Sequence, residues 1–232
     1  MTELKLTAIV PAAGIGSRMR SDKPKQYLKI HERTVLEHTI EKLLSHSNID
    51  QVIVAVSKHD PYFDDLILSQ SKNVIRVDGG SERANSVLNA LNYVVANHLS
   101  TWVLVHDAAR PCVELSDVTK LIQEAIVHPV GAILAAPVRD TIKQSNHSHG
   151  IEQTLDRSLL WHALTPQMFR SKQLQAALMQ ALSHNVIITD EASAMEYMGF
   201  HPRLVAGKTD NVKITQPEDL ALAEFYLTRD KG

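Results

Sequence analysis

Short apolar runs rich in Val, Ile and Ala recur along the chain at 7–10, 52–56, 74–77, 102–105 and 132–135. Runs of this length and composition suit strands that are buried on both faces of a parallel sheet. Helical periodicity fills the gaps between them. Leu36, Ile40, Leu43 and Leu44 share one face, Ala84, Val87, Leu88, Leu91 and Val95 a second, and Val118, Leu121, Ile122 and Ala125 a third. Asp60-Pro61 supplies an N-cap followed by proline at the first helical position, which predicts a helix between the second and third runs. Thr215 with Glu218 three residues on reads as a capping box ahead of the final helix. Strand and helix therefore alternate, which predicts an α/β chain with a mostly parallel sheet and helices on both faces.

Residues 137–166 interrupt this rhythm. Pro137, the polar run Ser145-Asn146-His147-Ser148-His149-Gly150 and then Trp161 carry no helical stripe, and so long an excursion is usually functional. An extended arm with a solvated tip is expected here, His147 and His149 belonging to the tip rather than to a metal site. Helices are expected near 171–182, 190–198 and 217–228. At 232 residues, with 44% hydrophobic and 22% charged, the chain is read as one domain spanning 1–232 with an arm near 137–166.

Charge and cysteine content narrow the partners. The 24 Lys and Arg against 26 Asp and Glu leave no basic excess for a nucleic acid or an anionic membrane. Cys112 is the single cysteine, so no intrachain disulfide can form, and it reads as a small buried side chain. The first apolar stretch, 6–11, is too short for a signal peptide or a span, so a soluble cytoplasmic protein is expected. The sequence stops just after its last helical stripe, and no fused second enzyme is expected.

Directly after the first strand comes Pro11-Ala12-Ala13-Gly14-Ile15-Gly16-Ser17-Arg18-Met19, with Pro24-Lys25 six residues further. Small residues let a backbone approach a ligand, and glycines allow several N–H groups to converge on one anion. With Arg18 and Lys25 alongside, the segment reads as a polyphosphate-binding loop. It is neither a dinucleotide fingerprint, since Met19 takes the third glycine position, nor a Walker loop. Asp107 follows the run at 102–105, at the strand edge where open α/β sheets bind ligands, and a single carboxylate there suits magnesium. Arg110 is placed either to contact the nucleotide or to brace Asp107.

The loop and the Pro24-Lys25-Gln26-Tyr27 that follows resemble the signature of the CTP:polyol-phosphate cytidylyltransferases. Residues 77–83 (through Gly79-Gly80), 105–111 (His106-Asp107-Ala108-Ala109-Arg110), 136–141, 161–167, 189–192 and 210–213 extend the resemblance over nearly the whole chain. It is strongest to the branch of that family that acts on 2-C-methyl-D-erythritol 4-phosphate, in the non-mevalonate route to isoprenoids. The resemblance implies a Rossmann-like fold, an extended β-arm exchanged in a homodimer, and transfer of CMP from CTP to the polyol phosphate with release of pyrophosphate. It further implies that Arg18, Lys25 and Lys213 hold the triphosphate and stabilise the transition state, and that Asp107 binds Mg2+. Pro11, Ala12, Ala13, Gly14, Gly16, Gly79, Gly80, Ser86, Ala108 and Arg110 would form the CTP site. Thr141, Arg157, Thr165 and Thr189 would gather the polyol phosphate, Arg157 from the neighbouring subunit. Ser81 stands where the resemblance leads one to expect an acidic residue. Ribitol 5-phosphate is the rival substrate, separable only by the polyol pocket. A non-catalytic nucleotide-sensing module is the rival of another class, and it would have no use for Asp107 beside Lys25 and Lys213.

Overall fold

The computed structural model describes residues 4–14 and 23–229. The expected Gly16 and Arg18 lie outside these residues. The chain runs β1 (Leu6–Pro11), β2 (Lys29–Ile30), β3 (Arg33–Thr34), α1 (Val35–Leu44), β4 (Ile49–Val56), β5 (Val74–Asp78), α2 (Arg83–Ala96), β6 (Trp102–Val105), α3 (Leu115–Val127) and β7 (Gly131–Pro137). It continues through β8 (Ile142–Ser145), β9 (Ile151–Leu155), β10 (Trp161–Arg170), α4 (Ser171–Ser183), α5 (Glu191–Tyr197), β11 (Arg203–Ala206) and α6 (Pro217–Arg229). Seven strands form one sheet in the order β11-β7-β10-β6-β1-β4-β5. All neighbours are parallel except β10, which runs antiparallel to both β6 and β7.

Alternation along the strands divides the core in two. Ala8, Val10, Val52, Val54, Leu104 and Leu134 pack under Leu36, Ile40 and Leu43 of α1 and Val118, Leu121 and Ala125 of α3. Their sequence neighbours Ile9, Ile53, Val103, Val105 and Ile133 point to the other face, under Val87 and Leu91 of α2 and Leu174 and Leu178 of α4. Burial at alternate positions on both faces is why these strands read as continuous apolar runs. Cys112 is buried beside Ile214 and Ala223, as its sequence context suggests.

Three local expectations are corrected. Asp60 does cap a turn, its Oδ1 accepting from the N–H groups of Tyr62 and Phe63, but only the short 3-10 turns Phe63–Asp65 and Ile67–Gln70 follow. At the last helix, Asp219 rather than Glu218 reaches back: its Oδ2 accepts from the Thr215 and Gln216 N–H groups and the Thr215 hydroxyl. The arm is also shorter than 137–166, because β10 begins at Trp161 and returns into the sheet between β6 and β7. What projects is the β8–β9 hairpin, a separate two-stranded sheet whose tip is knotted by Asn146 Oδ1 accepting from the Ser148 and Gly150 N–H groups. His147 and His149 are exposed there.

Gly131 opens β7 at φ +124°, and a Cβ on it would sit 2.3 Å from the Met168 carbonyl oxygen of β10. Gly131→Ala is expected to destabilise the chain by about 1–3 kcal/mol, since only glycine adopts that backbone region without strain. Urea unfolding of the folded variant checks this, and an unchanged midpoint would contradict the reading.

Candidate active site

The parallel strands β1, β5 and β6 end at one edge of the sheet, and the turns that leave them enclose a cavity of about 340 Å3. From β1 come Pro11, Ala12, Ala13 and Gly14, from the β5–α2 turn Gly80, Ser81, Glu82, Arg83 and Ser86, and from β6 Asp107, Ala108 and Ala109, with Lys25, Gln26 and Lys213 closing the wall. This is the carboxyl edge at which open α/β sheets take their ligands.

The loop after β1 continues the ladder for one residue, the Ala12 N–H donating to the Ala55 carbonyl oxygen at 2.7 Å, and is then held by Gln26 and by Gly79. Buried Gln26 donates through Nε2 to the carbonyl oxygens of Ala12 (2.6 Å) and Gly14 (3.0 Å). Gly79 lies so close that a Cβ on it would come within 2.5 Å of Ala13 Cβ, which is the reason for glycine there. Ser86, buried in α2, folds the next turn: its hydroxyl oxygen accepts from the Gly80 N–H at 3.0 Å and donates to the Glu82 carbonyl oxygen at 3.1 Å. Ser81, exposed, donates through its hydroxyl to Asn85 Oδ1.

Asp107 is the electrostatic centre. Its Oδ1 meets Arg83 Nε at 2.9 Å, and its Oδ2 meets Lys213 Nζ at 2.8 Å and Arg110 Nε at 3.5 Å. Burial opposes ionisation of this carboxyl, but Arg83, Lys213 and Arg110 together outweigh it and hold the group well below the usual carboxylate range. Arg110 also donates to the Asn211 carbonyl oxygen at 2.6 Å, so it braces Asp107 and ties β6 to the segment carrying Lys213. Lys25 Nζ donates to the Ile214 carbonyl oxygen at 2.8 Å, one residue beyond Lys213.

The residues expected to hold the polyol phosphate are not gathered on the cavity wall. Thr141 and Arg157 are exposed on the arm, where Arg157 Nη1 donates to the Arg139 carbonyl oxygen. Thr189 is exposed just ahead of α5. Thr165 is buried behind Asp107: its hydroxyl accepts from the Asp107 N–H at 3.1 Å and donates to His106 Nδ1 at 3.0 Å. His106 in turn donates through Nε2 to the Arg110 carbonyl oxygen at 3.0 Å, which fixes a neutral tautomer. Gln26, Arg83, His106, Gln167 and Glu191 lie inside the conspicuous motifs, but no local pattern distinguishes their roles, which exist only after distant segments meet.

A glycine-lined cavity with two lysines and one cation-ringed aspartate, set at the carboxyl edge of an α/β sheet, is the arrangement of a nucleotide-binding enzyme of the nucleotidyltransferase class. The family model IspD: 2-C-methyl-D-erythritol 4-phosphate cytidylyltransferase matches residues 6–229. The chain is 64% identical over 224 residues to the protein of that name from Vibrio atlanticus (strain LGP32), covering 97% of this chain and 96% of the relative. It is 63% identical over 226 residues to that of Vibrio cholerae, with 97% of each covered. Among solved structures it resembles a 4-diphosphocytidyl-2C-methyl-D-erythritol synthase (TM-score 0.83, 37% identity, 96% of this chain and 98% of that one). It also resembles the Francisella tularensis 2-C-methyl-D-erythritol 4-phosphate cytidylyltransferase (TM-score 0.80, 35% identity, 96% and 99%). The chain therefore belongs to the 2-C-methyl-D-erythritol 4-phosphate cytidylyltransferase family, as its motifs imply. Among the described residues no helix is long and apolar enough to cross a membrane.

Burial drives the His106 imidazole down to about 4, against 6.5 for an ordinary histidine. In the unfolded chain His106 takes up a proton near pH 6.5 while the folded chain resists until near pH 4, so stability from this residue is lost as pH falls across that window. The loss amounts to about 3 kcal/mol at pH 4. The Asp107 contribution is lost only below the ordinary aspartate range. Comparing denaturant midpoints of wild type and His106→Gln from pH 7 to pH 4 isolates the histidine: the wild type is expected to lose more stability, and parallel curves would refute the assignment.

Proposed function

We propose that the chain transfers CMP from CTP to 2-C-methyl-D-erythritol 4-phosphate, giving 4-diphosphocytidyl-2-C-methyl-D-erythritol and pyrophosphate. The observation that carries this reading is the cavity in which the Ala12–Gly14 backbone, Lys25, Lys213 and ionised Asp107 share one wall. An oxygen of the polyol phosphate attacks the α-phosphorus of CTP, and the bond from that phosphorus to the bridging oxygen of pyrophosphate breaks. The attacking phosphate is already an anion, so no general base is needed, and positioning and charge stabilisation carry the catalysis. Backbone groups of Pro11 to Gly14, with Gly16, cradle the triphosphate, while Arg18, Lys25 and Lys213 offset its charge. Gly79, Gly80, Ser86, Ala108 and Arg110 shape the nucleotide pocket around the base.

Asp107 fits a divalent cation. It lines the cavity, is held ionised, and already presents Oδ2 to a cation, the Lys213 ammonium. Among the described residues no group of three or more His, Cys, Asp or Glu could hold a metal, so the remaining ligands would be water and phosphate oxygens, the set that Mg2+ prefers. When bound there, Mg2+ supplies neutralisation of the triphosphate charge.

We further propose a homodimer in which the arm serves the neighbouring active site. A two-stranded hairpin is marginal alone, and this one exposes Ile151 (68%) with Leu159 (80%) at its base. Covering these against a second copy would carry Arg157 and Thr141 toward the partner's cavity, where they would join Thr189 and Thr165 around the polyol phosphate.

Pyrophosphate release with CTP, UTP, GTP and ATP against methylerythritol and ribitol phosphates tests the reaction. CTP with methylerythritol phosphate is expected to dominate, whereas equal turnover with UTP would remove the base pocket and a preference for ribitol phosphate would move the chain to the sister activity. Asp107→Asn and Lys213→Ala are each expected to lower kcat roughly 10²–10³-fold in folded protein, and the first should weaken the dependence on Mg2+. Wild-type turnover in either would remove that residue from the mechanism.

The arm is tested by mixing subunits. Lys25→Ala and Arg157→Ala homodimers should both be poorly active, while a hybrid has one site with both lesions and one with neither. Random mixing should then restore about a quarter of wild-type sites. Hybrids demonstrated to form without recovery would show that Arg157 serves its own subunit.

A further inference from the structure

Arg83 opens α2 and lines the cavity beside Asp107, yet its charge is spoken for. Its Nε donates to Asp107 Oδ1 at 2.9 Å, and its terminal nitrogens grip Glu191 with both prongs, Nη1 to Oε1 at 2.6 Å and Nη2 to Oε2 at 3.1 Å. Glu191 is fully buried at the start of α5 and does not line the cavity. Its helix is anchored in turn: Gln167 of β10 accepts from the Ala192 N–H and donates to Asp190, whose own carboxylate caps the helix. A two-pronged contact of this kind fixes the plane of the guanidinium as well as its position.

That plane decides how Asp107 is turned. Thr165 secures the Asp107 backbone, but rotation of the carboxylate about its last bond is soft, and a hydrogen bond is needed to set it. Arg83 supplies that bond on Oδ1. The other oxygen, Oδ2, is left for Lys213 at 2.8 Å and Arg110 at 3.5 Å. We infer that Arg83 and Glu191 are a positioning pair for nucleotidyl transfer, holding Asp107 so that Oδ2 is the oxygen offered to the cations of the cavity. Glu191 lies behind the cavity wall and Arg83 is argued to act through Asp107, and the inference rests on the activity proposed above. A lysine at position 83 would keep the charge but not the fork, because it cannot bridge two carboxylates in one plane.

The test uses Arg83→Lys and the paired variant Arg83→Met with Glu191→Leu, each compared with wild type in thermal midpoint, kcat, KM for CTP, and affinity for Mn2+ measured by electron paramagnetic resonance with CTP present and the polyol phosphate left out. The paired variant removes the charge of Glu191 together with that of Arg83, so Glu191 is not stranded; Asp107 keeps Lys213 and Arg110 on Oδ2 but loses its Oδ1 partner, so the chain is expected to stay folded with a lowered thermal midpoint. Its kcat and its Mn2+ affinity should nevertheless each fall about 10–100-fold, the usual effect of losing a residue that orients a metal ligand. Arg83→Lys should lower both by a similar factor, with KM for CTP little changed. A folded paired variant with wild-type kcat and Mn2+ affinity would overturn the inference and leave the pair a purely structural contact. Should the paired variant not fold, wild-type kcat and Mn2+ affinity in Arg83→Lys would overturn it equally. A wild-type chain that releases no pyrophosphate from CTP would count against the proposed activity, and the Mn2+ affinities would still decide the role of the pair.

Discussion

Taking a carboxylate out of water is costly, and Asp107 is only 6% exposed; it stays ionised because Arg83, Arg110 and Lys213 converge on it from three different segments of the chain. With Glu191 included, two buried carboxylates face three cations, so the cluster keeps a surplus of positive charge where the cavity opens. A polyanion entering the cavity meets that surplus as well as Lys25. Lys213, half exposed and resting on Oδ2, is the member most able to change partner. The same ion cluster therefore closes the tertiary structure, by tying β6, α2, α5 and the segment before α6 together, and sets the field that a triphosphate would experience.

The sheet supplies the rigid frame for this cluster. Strands β1 and β6 are paired in register, Ile9 opposite Val105, so the turns that follow them leave the sheet side by side. The Ile9 carbonyl oxygen then accepts the His106 N–H, carrying the ladder one residue past β6. Asp107 is thus fixed within a residue of regular structure, while the loop opposite is held by glycine packing and by Gln26. Function here depends on strand ends, where backbone position is exact and the side chain faces outward from the core.

Of the strands that were legible as apolar runs, β1, β4, β6 and β7 are buried on both faces and β5 is a half-buried edge strand whose Val and Ile still gave it away, and the helices α1, α2 and α3 showed clean stripes. Strand β10 was not legible because Pro166 and the polar Thr165 and Gln167 argue against a central strand. The sheet tolerates them because the register with β7 shifts between Ala163 and Gln167, and because Gln167 finds partners on α5. Strand β11 is a four-residue edge, too brief to stand out. At the site, the glycine-rich loop and the strand-end aspartate could be read from local chemistry. Gln26, His106 and the Arg83–Glu191 contact could not, since each is defined by a partner elsewhere: Gln26 bonds the loop after β1, Thr165 is 59 positions from His106, and Glu191 is 108 from Arg83.

Strands β7 and β10 meet at their open ends with Trp161 opposite Pro137, so the chain leaves the sheet and re-enters it at adjacent positions. Everything between those two residues is, in topological terms, an insertion with a narrow neck. Its length, tip sequence and even its presence can drift without altering the strand order or the cation cluster. On the proposal that the arm brings Arg157 and Thr141 to the acceptor, a lineage that remodels this insertion would change acceptor contacts and leave the sheet and the cation cluster untouched, which makes the neck a seam along which the two could evolve separately.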